Sequence, residues 1–524
     1  MLCAFSGIEY IIVMQYFPTI GLEIHAELKT RTKMFCNSKN DADETRPNVN
    51  VCPVCLAHPG TLPVINREAV RHVLRVGVAV KGRIADYTEF DRKNYFYPDL
   101  PKGYQLSQYE YPLVSGGELL GVTLTRIHLE EDTASSMHGS TVLTTGEEGS
   151  ATTTIDYNRA GIPLMELVTE PVIKSVEEAS LFARELQQLL RYLGTSNANM
   201  EKGEMRVEAN ISLLPKSQIT NHKSQTNSND QIPKLGIKVE IKNLNSFRAM
   251  ERAVAYEIKR QTELLDRGEK VVQETRGWDE SKQSTFPQRI KEGSADYRYF
   301  PDPDLPSLKL SEVSGCTEDE IKNTLPELPW ERRARYLALE LKPEDADMFV
   351  REPRVGDFMD EISRLYDGNA KKVKLVANYI ANDLVNIIRL RTASARQVRD
   401  SQERDSEIQH EIPISAQSFK KIMDMLLDAR LSSRSAKDML VAFSGGEASD
   451  PEDYAKRHKI LRDPSGSDVL PIVEKVLADN PDVAADYRGG KEAALEYLVG
   501  QAMRALRGAA DPVALRSKFK EMIK

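Results

Sequence analysis

Apolar and polar residues alternate along three segments of the N-terminal half, at positions 20–28, 205–213 and 237–242. A period of two is typical of a β-strand with one buried face and one solvated face. In the first segment, Glu23 and His25 belong to the polar set. The pattern predicts an antiparallel sheet packed on one side, and together with separate helices it predicts an α+β fold.

Helical periodicity dominates from about residue 309 onward, in runs such as 330–341, 370–390 and 492–506. In the last run apolar residues recur at spacings of three and four, which predicts an amphipathic helix packed on a core. Two polar stretches, 216–234 and 394–413, predict a surface insertion and a linker. The predicted organisation is an N-terminal extension (1–17), a sheet-containing domain (18–308), a helical domain ending in a linker (309–412) and a helical tail domain (413–524).

The composition is ordinary for a soluble protein, with 524 residues of which 40% are hydrophobic and 29% charged. It excludes fibrous and largely disordered proteins. No window approaches the roughly 20 apolar residues needed to cross a bilayer, so no membrane partner is expected. The net charge of −8 argues against a protein that binds nucleic acid over most of its surface. From Arg488 onward, however, eight Lys/Arg stand against four Asp/Glu, which fits either a solvated helix face or a local basic surface.

The N-terminus and the cysteine content both bear on cellular location. The first thirteen residues are apolar but contain Glu9 and no Lys or Arg, which does not fit a secretory signal. Met14 directly precedes the first patterned strand, so an upstream misassigned start is one hypothesis. Five cysteines are too few for a disulfide framework in a chain of this length. A reducing, cytoplasmic location is expected.

Acidic side chains and a histidine recur on the polar faces of the predicted strands. Glu23 and His25 lie on the first strand, Glu208 lies on the second, and Glu130 and Glu131 end another strand-like run. A half-solvated sheet also shows outward polar residues, but clustered carboxylates repel one another unless cations neutralise them. Oxygen and imidazole ligands favour Mg²⁺ or Mn²⁺, and such Mg²⁺ sites commonly bind phosphates. Since the sequence has no Gly-x4-Gly-Lys-Ser/Thr loop, ATP would be held on the sheet by metal and basic side chains.

Basic and aromatic residues are interleaved in two loops, 91–108 and 296–304. Arg92 and Lys93 stand in the first loop, and Arg298 stands in the second. Such segments can stack on bases and grip phosphates, or their Tyr and Pro residues can simply wall a pocket. The composition leaves both interpretations open.

Cys52 and Cys55 have the two-residue spacing of a metal knuckle, with Cys36 upstream. Three thiolates are one ligand short of a closed structural zinc site; His58 or a residue distant in sequence could supply the fourth ligand. The alternatives are a zinc site, a knuckle that has lost its metal, and a redox pair. The redox alternative is the least favoured because Pro53 follows Cys52 where a helix would have to start.

Long segments of the chain resemble the B subunit of the glutamyl-/aspartyl-tRNA amidotransferases, the GatB family. The similarity begins near Thr19 and covers nearly all of the remaining chain. The segments that carry it include GLEIHAEL (21–28), CPVCLAHPGTLPVIN (52–66), DRKNYFYPDLPKGYQLSQ (91–108), HLEED (128–132), DYNRAGIPLMELVTEP (156–171), VEIKNLNSFR (239–248), DYRYFPDPDLP (296–306) and ADYRGGKEAALEYLVGQAMR (485–504).

The resemblance implies a fold and an activity. The fold would be an N-terminal cradle with a sheet related to glutamine synthetase, then a helical domain, then a helical tail that grips tRNA. The enzyme would be a carbon–nitrogen ligase with glutamine as its nitrogen donor. It would use ATP and Mg²⁺ to phosphorylate the side-chain carboxylate of Glu-tRNA(Gln), Asp-tRNA(Asn) or both. Ammonia from a partner amidase, the A subunit, would then displace the phosphate, and a small C subunit would complete a heterotrimer.

The resemblance also implies roles for individual residues. The metal ligands would be Glu23, His25, Glu130 and Glu131, with Glu208 adjoining them. Contacts to ATP or the acyl phosphate are inferred, from charge and placement, for Arg92, Lys93, Lys242 and Arg298.

Two positions depart from the family pattern. Ser38 stands where a fourth cysteine is common, which puts Zn²⁺ at Cys36, Cys52 and Cys55 in question. After the acidic residues 130–132 the family often has a lysine, whereas here Thr133, Ala134 and Ser135 follow, so a basic side chain is missing. The rival hypothesis is a non-catalytic tRNA-binding scaffold, although a scaffold would have no reason to gather mutually repelling carboxylates.

Overall fold

A computed structural model describes residues 16–41, 43–139, 152–215, 236–290, 297–398, 412–447, 449–462, 469–506 and 512–523. The chain divides into two compact units, one ending at Pro329 and the other beginning at Trp330. The predicted domain boundaries at 308 and 412 stay predictions. The surface insertion (216–234), Met14 and the alternative start lie outside the described residues.

The N-terminal unit is built on one large, mainly antiparallel sheet. Its strand order is β15-β14-β13-β12-β1-β11-β8-β6-β2, with β7 paired to β8, and β13–β14 is a parallel pair. Three small sheets accompany it: β9 with β10, β4 with β5 and β16, and β3 with β17. The strands are β1 (Tyr16–Glu27), β2 (Arg83–Ile84), β3 (Tyr87–Thr88), β4 (Asp91–Asn94), β5 (Tyr104–Ser107), β6 (Val114–Ser115), β7 (Glu118–Leu119), β8 (Val122–Glu131), β9 (Ser135–Gly139), β10 (Thr152–Asp156), β11 (Pro163–Thr169), β12 (Met205–Pro215), β13 (Val239–Leu244), β14 (Glu274–Asp279), β15 (Ser284–Ile290), β16 (Phe300–Pro301) and β17 (Leu308–Lys309).

Helices cover the apolar face of this sheet. Leu22, Ile24 and Ala26 of β1 are fully buried, as are the alternate apolar residues of β12. Two long helices, α2 and α3, pack on this side and against each other. The helices of this unit are α1 (Arg67–Ala79), α2 (Val176–Tyr192), α3 (Phe247–Asp266) and α4 (Glu318–Lys322), with a 3₁₀ turn at Leu310–Glu312. The period-two prediction is confirmed for β1 and β12 and, from Val239 onward, for β13, with the polar residues on the opposite face. Ile237, which was predicted on the buried face, precedes the strand and is exposed.

In the unit from Trp330 onward, the described residues form helices joined by turns and short loops. Its helices are α5 (Pro329–Ala338), α6 (Pro343–Arg351), α7 (Pro353–Leu365), α8 (Ala370–Tyr379), a π turn (Ile380–Leu384), α9 (Val385–Val398), α10 (Ala416–Leu427), α11 (Ser433–Ser444), α12 (Pro451–Arg457), α13 (Leu470–Asp479), α14 (Pro481–Arg488), α15 (Glu492–Ala505) and α16 (Pro512–Met522). The α+β fold with a sheet followed by helices is therefore confirmed. The relation to glutamine synthetase stays a prediction.

The last four helices share a core of their own. Leu495, Leu498, Val499 and Ala502 of α15 are buried against α13 and α16, as their helical spacing predicts. The predicted linker (394–413) is wrong at its start, because helix α9 continues to Val398 and so includes residues 394–398. No helix among the described residues has both the length and the apolar character needed to span a bilayer.

Candidate functional site on the polar face of the main sheet

Four neighbouring strands bring acidic and imidazole side chains together on the face opposite the helices. β1 lies between β11 and β12, so His25 is directly opposite Glu166 and Glu23 is directly opposite Glu208. β8 pairs with the other edge of β11, which places His128 opposite Glu166. Directly opposite residues share a face and their side chains interact. The cluster is therefore assembled by strand register across segments distant in sequence.

Three carboxylates converge on one nitrogen of His25. Its Nε2 is 3.3 Å from Glu166 Oε2, 3.5 Å from Glu130 Oε1 and 3.8 Å from Glu23 Oε1. The Glu130 and Glu166 side chains are at most 5% exposed, whereas that of Glu23 is 27% exposed. The site is thus closed on the side of β8 and β11 and accessible from the side of Glu23.

The protonation equilibria of these groups are strongly linked. Burial raises the pKa of Glu23 to about 7, and the charges of Glu166 and Glu208 add to the rise. Burial by itself lowers the pKa of His25, but hydrogen bonds to Glu130 and Glu166 raise it well above its usual range. Burial raises the pKa of Glu166, but the neighbouring histidines more than offset this and hold it well below the ordinary value. A cation at this position would relieve the repulsion among the carboxylates.

Two lysines border the cluster. Lys93 Nζ lies 3.6 Å from Glu130 Oε2 and 5.4 Å from the centre of the Tyr297 ring. On the other side, Lys242 Nζ lies 3.0 Å from Glu208 Oε2 and 3.7 Å from Glu240 Oε1. Both ammonium groups have raised pKa values, because the neighbouring acidic groups outweigh the effect of burial. They remain charged at neutral pH and can bind an anionic ligand.

The structure does not bring every predicted residue to this cluster. Glu131 follows Glu130 on β8 and, as consecutive strand residues do, faces the other way; its carboxylate contacts Lys102 Nζ and accepts the backbone N–H of Leu106. Arg92 likewise faces away from Lys93 and pairs with Asp302 at 2.6 Å and Asp304 at 3.3 Å.

Arg298 is exposed, and its backbone adopts a φ of 43°. Its carbonyl accepts a hydrogen bond from Asn94 Nδ2 at 2.8 Å. The roles predicted for Arg92, Glu131 and Arg298 stay predictions.

The donor set fits a hard divalent cation. The nearest candidate ligand atoms of Glu23, His25 and Glu166 lie within 4.8 Å of one another. Two ligands on one Mg²⁺ at about 2.1 Å are about 3 Å apart when adjacent, which is close to the 3.3 Å between His25 and Glu166. A second group, Glu23 with Glu208 and Glu240, is equally compact, but there the ammonium of Lys242 contacts both Glu208 and Glu240 and already offsets one of the three carboxylate charges.

Sequence reasoning missed Glu166 and His128. Glu166 is the central carboxylate, yet it sits in the run PLMELVT, where apolar residues occupy both sides of the strand. The one feature of the sequence that points to Glu166 is that a single acidic residue in an apolar run needs a partner if it is buried. His128 had a weaker signal, since a single histidine in a strand is common without a ligand role.

Comparison with known proteins identifies the family. The family profile described as the GatB/GatE catalytic domain matches residues 18–314, and the profile described as the GatB domain matches residues 360–523. The chain belongs to the GatB family. Relatives named as the B subunit of aspartyl/glutamyl-tRNA(Asn/Gln) amidotransferase, from Thermomicrobium roseum and Thermus thermophilus, are 41% and 40% identical, each over 97% of this chain and 99% of the relative. The corresponding protein of Carboxydothermus hydrogenoformans is 38% identical over the same shares.

The cysteine loop of this GatB-family chain places three thiols together beside the sheet. The Sγ atoms of Cys36, Cys52 and Cys55 lie within 4.8 Å of one another. Lys33, which is fully buried, has its Nζ 3.8 Å from Cys55 Sγ. A hydrogen bond from Cys36 lowers the pKa of Cys55 to about 4, although burial opposes the shift, and the charge of Lys33 adds to it. Thiolate character at Cys55 fits metal binding.

A serine side chain also lies beside the three thiols. Ser38 Oγ lies 3.8 Å from Cys55 Sγ, and the Cys52 and Cys55 sulfurs are 3.9 Å apart. Tetrahedral Zn²⁺ with bonds of about 2.3 Å separates its sulfur ligands by about 3.8 Å. The three thiols therefore fit Zn²⁺, whereas the serine hydroxyl is a weak fourth ligand because it does not ionise near neutral pH.

Replacing Ser38 by cysteine is expected to complete a four-thiolate zinc site. We expect the zinc affinity of Ser38→Cys to exceed that of the unmodified chain by on the order of 100-fold. Competition with a chromogenic chelator measures this. Ser38→Ala is the matched control and should bind zinc no more tightly than the unmodified chain. Equal zinc affinity in Ser38→Cys and Ser38→Ala would contradict the assignment of the fourth position.

Glu27 continues the polar face of β1 and is expected to make stability depend on pH. Burial and the nearby Asp132 raise its pKa to about 8, and Asp132 is itself paired with Arg206 at 2.8 Å. Between the ordinary value of 4.5 and about 8, folded Glu27 keeps a proton that the unfolded chain has released. Stability therefore falls as the pH rises through this window.

We expect Glu27→Gln to remove this pH dependence, because glutamine stays neutral while still donating to Asp132. When the pH is raised from about 5 to about 9, the unfolding free energy of the variant should increase relative to that of the unmodified chain by on the order of 2 kcal/mol. Chemical unfolding at the two pH values measures the gain. The exposed Glu118→Gln on β7 is the control, and parallel pH profiles for all three proteins would refute the expectation.

Proposed function

We propose that this chain is the subunit of a tRNA-dependent amidotransferase that activates the side-chain carboxylate of Glu-tRNA(Gln), Asp-tRNA(Asn) or both. The observation that carries the proposal is the convergence of Glu23, Glu130 and Glu166 on His25 Nε2 within 3.8 Å. Such a cluster is costly in a protein without a cation, so it argues against a scaffold that has no chemistry. The family membership and the names of the relatives support the same activity.

The chemistry requires an activation step because a carboxylate is a poor electrophile. A carboxylate oxygen of the aminoacyl group attacks the γ-phosphorus of ATP, a P–O bond breaks, and ADP leaves with the electron pair. Ammonia then attacks the carbonyl carbon of the acyl phosphate, the C–O bond to phosphate breaks, and the nitrogen loses a proton to give the amide. A Mg²⁺ ion held by the cluster would neutralise charge on the transferred phosphoryl group.

The residues of this chain would bind and orient the reactants. Glu23, His25 and Glu166, with Glu130 adjoining, would hold the ion. Lys93 stands beside Glu130, where it can contact a phosphoryl or carboxylate oxygen, and Lys242 stands on the Glu23 side, where the site is accessible. Positive side chains placed beside developing negative charge stabilise a phosphoryl-transfer transition state.

The same proposal includes partners. Since the sequence has no Ser-rich amidase motif, we infer that a partner amidase, the A subunit, supplies the ammonia and that a small C subunit joins them in the cytoplasm. Mischarged tRNA would be held through the basic C-terminal tail.

ATP cleavage by the reconstituted complex tests the activity. The complex is supplied with ATP, Mg²⁺, glutamine and one tRNA at a time: Glu-tRNA(Gln), Asp-tRNA(Asn) or, as the control, correctly charged Gln-tRNA(Gln). ADP release and amide formation should both require a mischarged tRNA. A complex that forms amide without cleaving ATP, or that cleaves no ATP with either mischarged tRNA, would refute the proposal.

Removing residues 414–524 tests the role of the tail. We expect the shortened chain to bind mischarged tRNA at least about tenfold more weakly, because the deletion removes residues 488–524, where eight Lys/Arg stand against four Asp/Glu. The glutaminase activity of the partner amidase should be unchanged, which serves as the control for assembly. Filter binding at fixed salt measures the affinity, and an unaltered dissociation constant would reject the tail as a tRNA contact.

A further inference from the structure

His128 is a buried imidazole beside the carboxylate cluster to which the proposed mechanism gives no role. It lies on β8 directly opposite Glu166 on β11 and is 2% exposed. Its Nε2 is 3.5 Å from Glu166 Oε2, and its Nδ1 is 3.4 Å from Arg126 Nε. Both ring nitrogens therefore face a specific partner.

The partners of His128 determine where its proton sits. The guanidinium of Arg126 has donors and no acceptor, so Nδ1 must accept the Arg126 N–H and carries no hydrogen. The single ring proton is then on Nε2 and faces Glu166 Oε2. A nitrogen that carries a proton has no lone pair for a metal, which distinguishes His128 from a ligand.

Arg126 closes the arrangement around Glu166. Its Nη2 is 3.5 Å from Glu166 Oε1, the oxygen that does not face the histidines. Glu166 Oε2 is shared between His128 and His25, at 3.5 Å and 3.3 Å. If His25 Nε2 binds a cation, it can no longer donate to Glu166. The contacts from Arg126 and His128 are then the ones that keep the carboxylate in place.

We propose that His128 is a positioning residue that orients Glu166 toward the cation site by donating from Nε2 while its own tautomer is set by Arg126. The inference rests on the cation-dependent activation proposed above. Groups that hydrogen-bond to a ligating carboxylate fix its orientation, and their loss typically weakens metal binding by about 10- to 100-fold.

Manganese binding to the full chain tests this role. Mn²⁺ serves as the probe because electron paramagnetic resonance distinguishes its free and bound forms. We expect His128→Leu, which lacks a donor, to bind Mn²⁺ about 10- to 100-fold more weakly than the unmodified chain. His128→Gln should stay within about threefold, since its amide nitrogen can donate to Glu166 and its amide oxygen can accept from Arg126.

The two variants separate positioning from other roles. If His128 only filled space, Gln and Leu would change the Mn²⁺ affinity by the same factor, and the proposal would be overturned. Unchanged Mn²⁺ affinity in His128→Leu would overturn it as well. If His128→Leu does not fold, Arg126→Met replaces it: its side chain is 31% exposed, and weaker Mn²⁺ binding is expected, with full affinity counting against the proposal. Because Mn²⁺ binding needs neither ATP nor tRNA, its outcome is independent of whether the complex cleaves ATP.

Discussion

Replacing Glu166 by alanine is expected to reduce tRNA-dependent ATP cleavage at least about 10³-fold and to remove Mn²⁺ binding at micromolar concentrations. Glu166 Oε2 is the carboxylate oxygen closest to His25 Nε2, at 3.3 Å, so the variant loses a central donor of the proposed cation site. Losing one group that stabilises transition-state charge costs about 10²–10³ in rate, and losing the cation adds to this. Single-turnover ADP formation by the assembled complex measures the effect.

The matched control for this experiment is Glu170→Ala. Glu170 lies just beyond the end of β11, is half-buried and accepts a hydrogen bond from Thr125 Oγ1 at 2.7 Å. Its removal takes away the same charge and volume without touching the cluster, so the rate should change less than about threefold. Glu166→Ala with near-normal ATP cleavage would show that the cluster on the main sheet is not the site of activation.

Replacing Glu257 by alanine is expected to lower the free energy of unfolding of the N-terminal unit by about 3–5 kcal/mol. Glu257 of α3 is fully buried and accepts two hydrogen bonds from Arg260, at 2.7 and 2.9 Å. It also lies 3.7 Å from Arg276 Nε on β14. Without its carboxylate, these guanidinium groups lose a buried counter-charge, and breaking such a pair costs more than the pair itself contributes.

Urea unfolding followed by Trp278 fluorescence measures this loss, in a Trp330→Phe background that leaves Trp278 as the single tryptophan. Trp278 lies on β14, next to the buried network. Glu263→Ala is the control on the same helix: its side chain is 55% exposed and 3.9 Å from Lys259, so it should change stability by less than about 0.5 kcal/mol. A loss below about 1 kcal/mol in Glu257→Ala would contradict the interpretation of the network.

Much of the candidate site was predictable from local pattern. Alternation along β1 assigns Glu23 and His25 to one face, and it does the same for Glu208 on β12, without any knowledge of their neighbours. The same rule also separates Glu130 from Glu131 and Lys93 from Arg92, since adjacent strand residues face opposite ways. The prediction that both members of each pair serve one site followed the family motif and ignored the alternation of side chains along a strand.

Other parts of the site depended on contacts between distant segments. Glu166 lies in an apolar run, and only the pairing of β11 with β1 shows that it faces His25. Lys242 was predicted from charge, but its position between Glu208 and Glu240 depends on the pairing of β13 with β12. Single-strand periodicity carries no information about which strand becomes the neighbour.

The sequence by itself determined the α+β class, the buried and polar faces of β1, β12 and β13, the helical character of the C-terminal half and the family. These follow from residue spacing and motif, which are local properties of the chain. The tertiary structure decided which carboxylates meet at His25, that Glu131 and Arg92 pair elsewhere, and that His128 stands beside Glu166. Those facts depend on strand order and register, which are fixed by the packing of the whole sheet against its helices.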